Sequence, residues 1–476
     1  MGLKGVKRAM QTNIERFEGF VSFRNSQGAK GQGSLLHVTR SSVVIEVYNP
    51  FSLVQLSEVL TEVEIRRGSR VIYDGTAIVS NITATGLYDI ITIFLRDPWK
   101  DLHAPMPGLS LQREVDSFVK EWEYSIKVAP PYRIAVNNIK DFLSSLSQWL
   151  GQLEMAVGIE KLKQSPALQR EFCEDIYLSL ASTIDALMQD FEYQGRQLEQ
   201  DVVSTHKAFA QRELHALVMC SPFCHRTYTK PLGYAGDYEM VNMLLRDPWE
   251  GANIYAKVVN SILIQSDTAQ AHRNRIVMLE ENIKREAKRV ASQGKRCKIL
   301  NVGCGPAAEV ERFILNEDIA NNCDITLIDF NKETLYYAKM RLNAAKKSKK
   351  RYGTKLSYKH SSISELLKMS SERKEPVEAA YDLVYCAGLF DYLKTAICKR
   401  VVRLFYHYTL REGIVIVTNV LPKHPVKVCL EHILEWYLIL RDTQDMLQLA
   451  PESSVSKVLK DKKGVNIFLK LRKTHR

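Results

Sequence analysis

An α/β protein, built on a mostly parallel seven-stranded sheet and preceded by a helical region and a small N-terminal β-barrel, is the fold class the sequence predicts. Three observations carry this. Ile299–Leu300–Asn301–Val302 is an apolar run that breaks into Gly303–Cys304–Gly305–Pro306–Ala307–Ala308–Glu309, which reads as a strand feeding a glycine-rich turn and then a helix. Further apolar strands follow it, the early ones with helix-length stretches between them. Residues 17–94 instead run in short alternating apolar and polar segments, the period of half-buried strands.

The chain of 476 residues is long enough for two or three well-buried domains, and 45% hydrophobic with 25% charged residues excludes disorder as the ground state. Met1–Phe17 is basic and polar without an apolar core, and no later stretch offers about 18 uninterrupted apolar residues. A cytoplasmic protein is expected. The nine cysteines are odd in number and scattered, which argues against a disulfide framework. Cys220, Cys224 and His225 form their tightest group; without a second ligand pair they read as plain thiols, and no metal is expected. The net charge of +12 invites acidic partners, but Lys346–Lys347–Ser348–Lys349–Lys350–Arg351 reads first as a solvated loop. The other readings of that run are an acidic carrier protein, nucleic acid or an anionic membrane.

In chain order, residues 1–100 form the β-barrel domain. Its strands include Ser42–Tyr48 and Ala77–Ile82, punctuated by Gly31, Gly33, Gly68, Gly75 and Gly86. Residues 101–290 form the helical region, after Arg96–Asp97–Pro98–Trp99 and the prolines at 105, 107, 130 and 131. Leu168, Phe172, Ile176, Leu180, Ile184, Leu187, Met188 and Phe191 fall on one helix face, as a core or a homodimer interface. Within 224–242, the tract Tyr228–Thr229–Lys230–Pro231–Leu232–Gly233–Tyr234–Ala235–Gly236–Asp237–Tyr238 suits neither helix nor strand. It predicts an ordered loop, a lid over a site. Ala271–His272–Arg273–Asn274–Arg275 lies near a helix start, where its cations could meet a ligand carboxylate.

Residues 291–476 hold the chemistry. Gly303, Gly305 and Ala308 satisfy a dinucleotide fingerprint, and Asp324–Asp329 is a second strand ending in an acid placed for ribose hydroxyls. Lys355–Tyr358, Tyr381–Ala387 and Gly413–Asn419 continue the sheet, and Val455–Leu459 with Val465–Leu469 close it as an antiparallel pair. A nicotinamide enzyme would need a catalytic domain after this one, and too little chain remains.

This layout resembles the Rossmann-like domain of class I S-adenosylmethionine methyltransferases, with Ile299–Asp329 matching their first two motifs. The resemblance implies S-adenosylmethionine as cofactor. Gly303, Cys304 and Gly305 would meet its methionine portion, Asp329 its ribose, and Ser361, Ser362 and Ile363 its adenine, with Phe330 also in the cofactor site. Tyr228, Gly236, Asp237, Arg273, Ala387 and Asp391 complete the expected cofactor set. The loop Tyr228–Tyr238, the tract Leu383–Leu393 and Glu435–Trp436–Tyr437–Leu438–Ile439 further resemble bacterial proteins that make an extracellular factor, 3-hydroxypalmitic acid methyl ester, a quorum-sensing signal. That implies methylation of a fatty-acid carboxyl group, free or carrier-linked. Tyr234, Tyr238, His432 and Trp436 would donate hydrogen bonds to the acceptor and Arg441 would hold it. The helix expected around Val428–Leu440 suits an acyl pocket or ordinary packing.

The N-terminal layout resembles a PilZ domain, the cyclic di-GMP receptor fold, but the binding signature is absent around Arg24 and His37–Ser42. A degenerate contact module is implied, and cyclic di-GMP is not an expected ligand. Two other functions fit the sequence: a nucleic-acid methyltransferase, and a signalling scaffold that binds the cofactor without turnover. No Asn/Asp-Pro-Pro-Tyr/Phe tetrapeptide follows the fourth strand to support the former, and no nucleic-acid partner is expected.

Overall fold

The computed structural model describes residues 19–39, 41–47, 54–67, 70–84, 88–100, 127–157, 165–199, 202–372, 379–452 and 454–474, with residues 115 and 119. Met1–Phe17, Arg40, Tyr48, Gly68, Gly86, Pro105 and Pro107 lie outside them. The chain divides into two compact units, Met1–Phe118 and Val119–Arg476.

The first unit is a closed barrel of β1 (Phe20–Arg24), β2 (Lys30–Val38), β3 (Ser42–Val47), β4 (Val59–Arg67), β5 (Arg70–Ala84) and β6 (Asp89–Leu95) in the order β1-β2-β3-β6-β5-β4. Period-2 patterning explains it: Val43, Ile45 and Val47 of β3 point inward while Val44 and Glu46 between them do not. The β4–β1 pairing closes the ring, so every strand has two neighbours.

The second unit carries a seven-stranded sheet. Its strands are β7 (Cys297–Val302), β8 (Cys323–Asp329), β9 (Lys355–His360), β10 (Tyr381–Cys386), β11 (Thr409–Val420), β12 (Ser454–Lys460) and β13 (Asn466–Lys473). The order is β12-β13-β11-β10-β7-β8-β9, parallel from β9 to β11, with β13 antiparallel to both β11 and β12. This is the expected Rossmann-like sheet with its terminal hairpin. The inner strands are apolar on both faces, as strands covered by helices on each side must be; Ile299, Leu300, Leu383, Val384, Ile416 and Val417 are all buried. The chain enters at the central β7, steps outward to β8 and β9, and returns to the other side of β7 as β10. That reversal opens a crevice beyond the carboxyl ends of β7 and β10.

Beside the sheet lies a helical layer, Pro130–Val157, Pro166–Arg196, Val203–Val218 and Ile254–Ile264, with its own apolar core around Tyr132, Leu143, Phe191 and Leu214. The expected stripe sits on the Pro166–Arg196 helix, which Ser165 caps and Pro166 begins; Ile176, Ile184 and Phe191 are buried in the core, whereas Leu168 is exposed. No described helix is long and apolar enough to cross a membrane.

Two local expectations change. Within 224–242 the irregular part is only 230–237, because Pro222–Thr229 and Tyr238–Leu245 are helices. The first is started by the Ser221 cap with Pro222 in its first turn, the second by Asp237, signals that outweigh the tract's poor propensity. The helix expected over Val428–Leu440 is a single π-turn, Cys429–Ile433, followed by a bend and irregular chain. Glu435 adopts φ 52°, which no right-handed helix allows, and the Trp436 amide turns back to the Leu430 carbonyl at 2.8 Å.

Candidate active site

The crevice at the ends of β7 and β10 is built first by the glycine turn. Gly303 (φ 67°) and Gly305 (φ 53°) occupy left-handed backbone that favours glycine, and a Cβ on Gly305 would meet nothing within 4 Å. The turn therefore presents bare backbone to open space. Its amides are tied to the neighbouring strand: Gly303 and Cys304 donate to the Ile328 carbonyl, and Gly305 donates to Asp329 Oδ2 at 3.1 Å. Asp329 stands at the tip of β8, buried, its other oxygen accepting the Asn331 amide at 3.0 Å. Burial pushes its carboxyl up to about 6, against the pull of these backbone donors. The Cys304 thiol is held well above its ordinary range by burial and is no nucleophile.

Beneath the turn, Glu309 accepts from Asn301 at 3.0 Å and from the Tyr385 hydroxyl at 2.7 Å, a buried network that fixes the start of the following helix. Burial raises this carboxyl also.

On the β10 side, Gly388 donates to Thr418 Oγ1 at 3.1 Å, and Asp391 accepts the Val420 amide at 2.8 Å. Burial pushes Asp391 up to about 6, with Arg275 and the Val420 amide opposing. Arg275, from the Asp267–Ala291 helix, faces this corner. A Cβ on Gly388 would lie 3.2 Å from its Nη1. The residue is 7% exposed, and its side chain makes no hydrogen bond or ion pair among the described residues. Burial lowers its pKa, while Asp391 and Glu309 hold the charge on. A buried guanidinium balanced only through space by two carboxyls, with no direct hydrogen bond, is costly, and its place beside the crevice suits an anionic ligand group.

The irregular segment 230–237 flanks the same region. The Tyr234 ring lies 5.2 Å from that of Phe330, and its hydroxyl, bonded to Thr334, is pushed up by burial and by Asp329. Gly236 abuts the Tyr392 hydroxyl, which would sit 2.9 Å from a Cβ there. Trp436 Nε1 donates to that hydroxyl at 2.8 Å, and the Tyr392 proton itself has no acceptor among the described residues. Burial raises the Tyr392 pKa, so the phenol stays protonated.

Thus Gly303, Cys304, Gly305, Asp329, Phe330 and Tyr234 gather on the β8 side, and Ala387, Asp391, Gly236 and Trp436 neighbour the β10 side. Ser361 and Ser362 follow β9, where their groups donate to Glu365 and Ser362 Oγ receives the Glu365 amide, leaving Ile363 as a buried apolar wall. Tyr238 lies outside, bonded to Glu333 at 2.8 Å and stacked on Tyr337.

Five residues are occupied elsewhere. Tyr228 packs on His215, and Arg273 donates to the Leu244 and Ile264 carbonyls. His432 bonds the Tyr132 hydroxyl at 2.8 Å inside the helical core, where burial drives it down to about 3 and keeps it neutral. Arg441 grips the carbonyls of Phe390 and Leu393 at 2.7 and 2.6 Å, bracing the turn after β10 from behind. Asp237 pairs with Arg226 at 2.7 Å and accepts the Met240 amide at 2.8 Å, so it anchors the loop. Asp237→Ala removes a cap and strands Arg226; it should destabilise the protein by about 1–2 kcal/mol in urea unfolding.

Of the cations in 271–275 expected to meet a ligand carboxylate, it is Arg275 rather than Arg273 that faces the crevice, and Tyr392 is a residue that sequence reasoning did not single out. For the choice of Arg275 a signal existed. Ala271, Arg275, Leu279 and Ile283 follow one another at four-residue spacing on the buried face, whereas Arg273 is out of phase.

No protein-family model matches the chain, and no curated protein matches it in sequence. Among solved structures it is similar to a possible exported protein from Bordetella parapertussis, at TM-score 0.41 and 16% identity over 51% of this chain and 82% of that one. Magnesium protoporphyrin IX methyltransferase from Synechocystis, with bound S-adenosylhomocysteine, gives 0.35 and 12% over 56% and 99%. The N-methyltransferase NodS from Bradyrhizobium japonicum, also with S-adenosylhomocysteine, gives 0.28 and 14% over 41% and 87%. These likenesses add nothing to what the strand order already says.

Proposed function

We propose that the protein is an S-adenosylmethionine-dependent O-methyltransferase that esterifies the carboxyl group of a 3-hydroxy fatty acid or related small acid, yielding a methyl ester signal. The observation that carries this reading is the unpartnered, buried Arg275 beside Gly388, across the crevice from a glycine turn and an acid-tipped second strand. The cofactor, when bound, supplies an electrophilic methyl group on a sulfonium.

Arg275 would hold the cofactor's carboxylate, Asp329 would accept from its ribose, and the bare turn at Gly303–Gly305 would leave room for its chain. A fatty carboxylate is already ionised at pH 7, so no base has to remove a proton. The chain's task is to align one acceptor oxygen and strip its water. Tyr392 suits it, a neutral donor whose orientation is fixed by Trp436 and whose proton is free. The buried carboxyls Asp329 and Asp391 hold backbone amides and are not needed as bases.

Tyr392→Phe should lower kcat about tenfold, the worth of one hydrogen bond of about 1–1.5 kcal/mol, with the Kd for S-adenosylhomocysteine unchanged by calorimetry. The function itself is tested with labelled S-adenosylmethionine and a panel of free 3-hydroxy fatty acids, carrier-linked acids and total RNA. Label in an organic-extractable ester is the expected result; label in RNA alone overturns it. The barrel is read as a contact module rather than a nucleotide receptor, supported by Arg24, which is spent on the Gly28 carbonyl at 2.9 Å and on Glu62 at 3.1 Å.

A further inference from the structure

The helix Lys332–Ser348 packs on β8 and β9 through Leu335, Ala338, Leu342 and Ala345, all buried. Its outer face is Lys332, Tyr336, Lys339, Met340, Asn343 and Lys347, which recur at three- and four-residue spacing and are all exposed. Lys349, Lys350 and Tyr352, also exposed, follow the helix end. The lysines of this ridge make no ion pair or hydrogen bond through their side chains among the described residues. Glu333, the only acid of the helix, is held by the Tyr238 hydroxyl at 2.8 Å and neutralises none of them.

Helix stability accounts for only part of this charge. Lys346 and Lys347 lie in the last turn, where cations complement the helix dipole. Lys332 stands in the first turn, where a cation opposes it, and Lys339 is in the middle, where the dipole has no preference. Solubility does not account for the rest, because Tyr336 and Met340, 66% and 56% exposed, sit between the cations. Aromatic and methionine side chains rimmed by charge are the composition of a protein-recognition surface. The neighbouring arginines are already spent, Arg341 on Glu311 and Arg351 on Asp318, so the ridge offers point charges without the fork that grips phosphate. A convex ridge has no groove to track a nucleic-acid strand, and the continuous apolar face of the helix is turned into the core, away from any lipid surface.

We infer that this ridge docks an acidic helix of a partner protein, whose carboxylates meet Lys332, Lys339 and Lys347 and whose apolar side chains cover Tyr336 and Met340. The helix of 17 residues offers a line of about 25 Å for such a contact. One end of that line is beside the crevice, because its first turn follows Asp329 and holds the flanking segment through Glu333 to Tyr238 and Thr334 to Tyr234. The docked partner therefore reaches the entrance of the site. This goes beyond the proposed function and does not depend on which acceptor the crevice takes.

The test is fluorescence anisotropy of the full chain with a labelled helical peptide whose glutamates and leucines share one face, and with a peptide of the same composition in which they are scattered around the helix. Poly(U) RNA and phosphatidylglycerol vesicles are titrated alongside. The one-faced peptide should bind about tenfold tighter than the scattered one, and weaken as salt is raised past about 0.15 M. Lys332→Glu combined with Lys339→Glu should cost about tenfold by turning two surface attractions into repulsions. Met340→Ala should cost about threefold through lost apolar contact, which a merely electrostatic attraction would not show. These positions are exposed, so both variants should keep the melting temperature and the S-adenosylhomocysteine affinity of the wild type. Absence of peptide binding, equal affinity for the two peptides, or indifference to Met340→Ala overturns the inference. Tighter binding of RNA or vesicles than of the one-faced peptide, lost on the same charge reversal, also overturns it and gives the ridge to that ligand instead.

Discussion

Arg275→Met should abolish most cofactor binding while making the free protein more stable. The guanidinium is buried without a hydrogen-bonding partner and is balanced only through space by Asp391 and Glu309, so part of its desolvation cost is recovered only when an anion arrives. Its loss should weaken S-adenosylhomocysteine by about 30- to 100-fold, corresponding to the roughly 2–3 kcal/mol of a charged, desolvated hydrogen-bonded pair. The melting temperature of the ligand-free protein should rise, because methionine fills similar space without a charge to desolvate. Arg275→Lys should bind at an intermediate level, since an ammonium keeps the charge and loses the two-pronged geometry. Calorimetry with S-adenosylhomocysteine and scanning fluorimetry of the ligand-free protein read the two effects separately. A variant that binds as wild type would remove Arg275 from the site, and one that loses both affinity and stability would make it a structural residue.

Asp329→Asn should weaken S-adenosylhomocysteine by about 30-fold or more at pH 7.5, because a ribose diol donates to a carboxylate far better than to an amide. The pH dependence follows from the direction of the shift. The folded carboxyl titrates at about 6, above the unfolded value near 3.9, so the fold favours the protonated form. Its contribution to stability is complete below about 3.9 and is lost as pH rises through 6; at neutral pH the ionised group is a cost. Removing the charge should therefore raise the melting temperature of the ligand-free protein at pH 7.5 and change little at pH 4. Ligand binding has the opposite sign, since the diol prefers the ionised form. Wild-type affinity should fall by up to tenfold per pH unit below about 6, and the slope should shrink in Asp329→Asn to the part carried by Asp391, which titrates in the same range. An undiminished slope in the variant would show that Asp329 does not face the ligand.

The sheet was legible because its signals are local. Val302–Gly303–Cys304–Gly305 announces a strand end, Asp329 closes the next strand, and the hairpin about Lys462–Gly464 turns within a few residues. Much of the site was not, because its contacts join distant residues. Arg441 is committed to Phe390 and Leu393, 51 and 48 positions away, and His432 to Tyr132, 300 positions away. Arginine and histidine near a crevice look alike in sequence whether they face a ligand or brace a turn; their partners decide. Arg273 and Arg275 differ only in helical phase, and an apolar run such as Val428–Leu440 does not reveal that Glu435 will break it.

The two units manage their sheet edges differently. The barrel closes on itself and exposes no edge, whereas the seven-stranded sheet ends on β9 and β12. Lys355 and Lys359 stand exposed on one margin, Lys457 and Lys460 on the other. Cations there keep unpaired backbone from zipping onto a second molecule. Part of the surplus positive charge is thus an anti-aggregation fence, whose value to the protein lies in what it keeps away.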